Sequence, residues 1–140
     1  MNREFSTPNA PKPLGHYSQG VKQAGSTQVS MQLPIDPATG KLTEGGIREQ
    51  TAQVLKNCEA VMKEAFLGLH VIVKTNVYLT NLGDFEAFNE VYKTFFPEIK
   101  PAMTRKRRPF TSRIFSTAFI WAANSWIFTG SAASIPCGRY

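Results

Sequence analysis

Four consecutive cations, Arg105-Lys106-Arg107-Arg108, form the densest cluster of reactive side chains in this 140-residue sequence. Such a run can hold phosphates or an acidic membrane surface by charge alone. No neighbouring motif of a nucleic-acid-binding fold accompanies it, so specific nucleic-acid binding is not expected. His16 and His70 stand apart, and no metal-ligand spacing, Gly-rich phosphate loop or Ser-His-Asp arrangement is present. Two cysteines, Cys58 and Cys137, are too few for a disulfide framework. Cys58 falls on an apolar helical face and is expected to be a small core residue rather than a nucleophile.

The net charge of +6 is divided sharply along the chain. Residues 1–99 sum to −1 and residues 100–140 to +7, because no acid follows Glu98. The segment Met103–Arg113 is strongly basic, and Ile114–Cys137 carries no formal charge. Three readings of that stretch stand side by side. Ile114–Ala122 and Ser125–Thr129 can be strands. Ile114–Ile135 has the length and the basic flank of a membrane span, although its Ser, Thr and Asn content argues against one. The third reading is a tail with no defined packing. The first ten residues, MNREFSTPNA, lack an apolar run and hence a secretory signal. The expected location is the cytoplasm.

Positioning any site falls to the elements upstream. Val71–Leu79 alternates with period two and predicts a strand. Thr80–Asp84 offers capping side chains, and Phe85, Phe88, Tyr92, Phe95 and Phe96 form an aromatic stripe at helical spacing that Pro97 ends. Tyr17–Lys22 and Gln28–Leu33 predict a hairpin about an Ala24-Gly25 turn. Residues 34–40 predict a loop. Ile47, Thr51, Val54, Leu55, Cys58, Val61, Met62 and Ala65 predict a long amphipathic helix ending near Leu67. Residues 1–16 are expected to run over the surface. The order strand, strand, helix, strand, helix closes as a mixed α+β sheet with helices on one face, once the last third supplies one or two strands.

Six ordered blocks carry a resemblance. They are Ala10–Gln19, Val29–Gly40, Glu49-Gln50-Thr51, Val73–Leu79, Asp84-Phe85 with Phe88–Tyr92, and Lys100-Pro101-Ala102. Together they resemble the RidA/YjgF-type reactive-intermediate deaminase family over residues 1–102, with 103–140 a divergent segment of the same domain. The resemblance implies a chorismate-mutase-like α+β sandwich and a homotrimer with sites between subunits. It implies cofactor-free hydrolysis of small 2-imino acids, such as 2-iminopropanoate and 2-iminobutanoate, to 2-oxo acids and ammonia. A guanidinium suits the substrate carboxylate through two parallel hydrogen bonds.

By the same resemblance Tyr17 lines the pocket, Ser30 lies near it on the hairpin's second strand, and Asn89 supports the site from the second helix. The plainer alternatives are a surface-edge aromatic for Tyr17 and a wet-face polar residue for Asn89. Three departures matter. Met31 replaces the glycine usual after that serine and is expected to narrow the pocket. Met103 occupies the place of the carboxylate-binding arginine. Arg105, two residues on and on the same face of a strand, is the substitute candidate; the alternative is a solvated charge. No glutamate follows Glu98 to take the family's terminal acidic role. A reading-frame shift near codon 103 accounts for losing acids and motifs at one point, and translating the coding DNA in the other frames tests it. The rival function is a non-catalytic member that binds small carboxylates or protein partners.

Overall fold

The computed structural model describes residues 1–107 and the strand Phe119–Ser125. The described strands are β1 (Arg3–Phe5), β2 (Gly20–Gln23), β3 (Ser26–Gln32), β4 (Lys74–Leu79), β5 (Ala102–Arg107) and β6 (Phe119–Ser125). They form one mixed sheet in the order β1-β2-β3-β6-β4-β5. All neighbours are antiparallel except β4 and β5, which run parallel. Two helices, α1 (Ile47–Glu64) and α2 (Phe85–Phe95), pack together and bury the apolar side of the sheet. The expected α+β architecture is the observed one, and the last third supplies two strands.

The core follows from the periodicities. Val54, Leu55, Cys58, Val61 and Met62 of α1 are buried against Val29, Val77 and Leu79 of the sheet. Phe88 and Tyr92 of α2 and Phe96 just past its end stack in sequence, with ring centroids 5.3 and 4.6 Å apart. The Tyr92 hydroxyl would be costly to bury alone; it pairs with the Thr75 hydroxyl at 2.9 Å. Glu49 reaches back to accept from the Gly46 backbone N–H at 2.8 Å and so satisfies one of the orphan donors at the start of α1. Cys58 is fully buried, and burial pushes its thiol up to about 12, which fits a core residue rather than a nucleophile.

Several boundaries differ from expectation. The N-terminal segment is not purely superficial: β1 pairs with β2, and Thr7 and Ala10 are buried. The first hairpin strand begins at Gly20, leaving Tyr17 in the preceding loop. The next strand begins at Lys74 rather than Val71, because Leu69–Val71 forms a turn of 3-10 helix closed by Ile72 N–H to Leu69 C=O. That turn buries Ile72 and exposes Val73. α1 stops at Glu64, and Phe66 then adopts a positive φ of 60°.

β6 covers the end of the strand expected over Ile114–Ala122 and continues to Ser125. Since Phe119–Ser125 is a strand within the sheet, it is not part of a membrane helix. Among the described residues no helix is long and apolar enough to cross a membrane. The remainder of Ile114–Ile135, the strand expected through Thr129, Arg108, Arg113 and Cys137 lie outside the described residues.

Candidate functional site

Tyr17 stands on a tight turn made by its own N–H and the Gly15 carbonyl, 2.9 Å apart. Its phenol oxygen accepts from the Leu14 N–H at 3.0 Å. A phenol oxygen that accepts in this way keeps its own proton to donate elsewhere. The side chain is half exposed and lines a small hollow of about 20 Å³ with Lys12, Leu14, Met31, Leu33 and Ile35. That volume admits one water-sized group.

Two buried amides hold the walls of this hollow. Gln19, 3% exposed, exchanges hydrogen bonds with Thr7: its Oε1 accepts from Thr7 N–H at 2.6 Å, and its Nε2 donates to Thr7 C=O at 3.1 Å. The same Nε2 lies 3.3 Å from Ala10 C=O and 2.9 Å from Pro11 C=O, which fixes the chain just before Lys12. Asn57, 1% exposed on α1, donates to Leu33 C=O and Ile35 C=O at 2.9 Å each. Gln53 in turn donates to the Asn57 oxygen at 2.9 Å. Neither amide stood out as a site residue in the sequence. The available signal for Asn57 was its place between Val54 and Val61 on the otherwise apolar stripe of α1; for Gln19 it was its place beside Tyr17 in the first family-like block.

Ser30 donates from its hydroxyl to Ser18 C=O at 2.6 Å, and its N–H donates to Gln19 C=O at 2.9 Å. It thus ties β3 to the Tyr17 loop, and its lone pairs remain available to accept. Asn89 and Arg105 form a separate group. The Arg105 guanidinium carbon lies 4.2 Å from the Phe85 ring centroid. Asn89 is exposed one helical turn beyond Phe85, on the same face of α2. In β5, Met103 and Arg105 sit in register with Thr75 and Val77, so both occupy the helix-covered face. Met103 packs against the core, whereas Arg105 is exposed.

Ser30 is thus bonded to the residue after Tyr17, while Arg105 at the Phe85 ring and Asn89 one turn beyond Phe85 lie apart from them. Three strand spacings, roughly 14 Å, separate β3 from β5 in the sheet order. Within one chain Arg105 does not join the Tyr17 hollow; the cation at that hollow is Lys12. Among the described residues no cluster of three His, Cys, Asp or Glu side chains is arranged to hold a metal ion.

The family model described as Endoribonuclease L-PSP matches residues 7–107. The chain belongs to the RidA/YjgF family. A RutC family protein of Pyrococcus horikoshii is 44% identical over 102 residues, covering 73% of this chain and 81% of the relative. A mouse protein named 2-iminobutanoate/2-iminopropanoate deaminase is 38% identical over 102 residues, covering 73% of this chain and 76% of the relative. Among solved structures, YyfA of Yersinia pestis, of the conserved Rid protein family, superposes with a TM-score of 0.83 at 34% identity, covering 89% of this chain and 98% of that one. Escherichia coli TdcF with bound serine superposes with a TM-score of 0.81 at 30% identity, covering 87% and 97%. This RidA-family chain keeps the family fold through the Tyr17 hollow, and the family match ends where β5 ends.

Proposed function

We propose that this protein hydrolyses small 2-imino acids, such as 2-iminopropanoate and 2-iminobutanoate, to 2-oxo acids and ammonia. It does so in the cytoplasm, without a cofactor, as a homotrimer with sites between copies. The observation that carries this reading is the hollow lined by both Lys12 and Tyr17. The deaminase name of the mouse relative and the serine held by TdcF support a small amino-acid-like substrate.

The chemistry needs three things: a cation for the carboxylate, a donor for the imine nitrogen, and a water against the C=N carbon. Lys12 supplies a cation, and the Tyr17 proton is available to the nitrogen. Ser30 holds the Tyr17 loop against β3 through its bond to Ser18 C=O. The water's oxygen bonds to carbon as its proton passes to nitrogen. The resulting carbinolamine expels ammonia and leaves the C=O of the 2-oxo acid, so one water is consumed per ammonia released. Most of the acceleration is positioning and electrostatics. Arg105, stacked on Phe85 with Asn89 beside it, faces the hollow of a neighbouring copy and adds a second cation there. The ribonuclease named in the family description is not the activity proposed.

A second reading, a non-catalytic carboxylate binder, is favoured by one observation: no acidic side chain follows Glu98 to activate the water. Two assays on the full chain separate them. The deaminase reading expects both binding of 2-oxobutanoate and ammonia release from freshly generated 2-iminobutanoate. Binding with ammonia release at the uncatalysed rate selects the binder.

A further inference from the structure

We propose that Met31 sets the size limit on the substrate's side chain, an assignment that rests on the imine-acid reading above. The cause lies in the backbone. Val29 pairs with Ala122 and Gln32 with Ile120, so Ser30 and Met31 together oppose the single position 121. This β-bulge interrupts the alternation of β3 and re-aims the residues that follow. Regular alternation would send Met31 to the helix-covered side with Thr27 and Val29. The bulge instead turns Gln32 inward, 5% exposed, and leaves Met31 37% exposed.

Met31 thereby becomes a wall of the Tyr17 hollow, continuous with Leu14, Leu33 and Ile35. These four apolar residues share the lining of that hollow with Lys12. A small acid bound there turns its carboxylate toward Lys12 and its aliphatic group toward Met31. The whole hollow holds only about 20 Å³, so Met31 leaves an aliphatic group little room at its wall. An unbranched thioether can yield slightly, enough for an ethyl group. A branched four-carbon chain must displace it. Met31 therefore biases the site toward the imines with the smallest side chains.

The test uses the full chain and its Met31→Gly and Met31→Ala variants. Calorimetry measures binding of pyruvate and 4-methyl-2-oxopentanoate, which share the product carboxylate and differ in side-chain bulk. Ammonia release from the corresponding imines is measured in parallel. The parent is expected to favour pyruvate by at least about tenfold, a discrimination ordinary for extra methylenes at a tight wall. Both variants are expected to shift the binding ratio about tenfold or more toward the bulky acid. An unchanged ratio in a cooperatively melting Met31→Ala protein overturns the assignment, even if Met31→Gly fails to fold. A parent that binds neither acid overturns it as well. A shifted binding ratio with no ammonia release instead removes the deaminase reading and leaves the role of Met31 standing.

Discussion

The Arg105 guanidinium lies over the ring of Phe85, 4.2 Å from its centroid. This contact links the edge strand β5 to the start of α2 and holds an otherwise mobile cation in one place. Such a pair at an exposed site contributes about 0.5–1 kcal/mol, so its removal should barely move the melting temperature. Its effect on catalysis should be larger. Arg105→Ala is expected to lower kcat/KM for 2-iminopropanoate at least about tenfold, the size of a lost charged contact to substrate. Tyr17→Phe is expected to lower it too. Preparations in which the two variants share oligomers should recover activity that neither has alone. No recovery in mixed oligomers would place both residues in separate functions.

The amides of Gln19 and Asn57 anchor opposite walls of the hollow. Replacing either by leucine leaves buried carbonyls without donors, at about 1–3 kcal/mol for each unsatisfied group. Urea unfolding of Asn57→Leu and Gln19→Leu should show midpoints lowered accordingly. Unchanged midpoints would mean that water replaces the amides without loss.

Gly20 sits opposite Phe5 in the β1–β2 ladder, and a Cβ at that position would collide with the Phe5 ring. Gly20→Ala must therefore push Phe5 aside, at about 1–3 kcal/mol for overpacking. The expected readout is faster amide exchange over residues 3–5, with α1 unaffected. Equal protection of β1 in the variant would show that the ring moves without strain.

Stability should bend at both ends of the pH range. The backbone N–H groups of Glu49 itself and then of Gly46 hold the Glu49 carboxyl below its ordinary value. A lowered folded value gives stability that is present above the usual carboxylate range and is lost as pH falls through the folded value. Burial raises the Cys58 thiol from 9.0 to about 12 and also raises the Tyr92 phenol. Raised folded values mean stability that is complete below pH 9 and declines as pH climbs from 9 toward 12. Urea midpoints from pH 3 to 10.5 should show both slopes. Glu49→Gln should flatten the acid slope and Cys58→Val the alkaline one. An unaltered alkaline slope in Cys58→Val would assign it to other groups.

Much of the fold was legible because burial imposes periodicity. The stripe Val54, Leu55, Cys58, Val61, Met62 and the alternation Thr75, Val77, Leu79 each named their buried face correctly. The turn before β4 was not legible, since Phe66–Val73 is apolar apart from Gly68 and His70 and only packing decides that Ile72 goes in and Val73 out. Strand β1 was hidden because a three-residue edge strand has too few residues to alternate. The hairpin was legible in its Gly25 turn, where φ is +73°, but the bulge at Ser30-Met31 was not. A bulge is a register relation to a distant strand, here β6, and leaves no local signature. The placement of Lys12 beside Tyr17 was likewise out of reach, because it depends on the fold-back secured by Gln19.

The most direct measurement of the central claim is ammonia release from freshly generated 2-iminopropanoate, with and without the full chain. Release accelerated at least about tenfold over the uncatalysed decay, a minimal contribution from positioned groups, and lost in Tyr17→Phe combined with Lys12→Ala, is the predicted result. Release at the uncatalysed rate by a folded, cooperatively melting protein would contradict it.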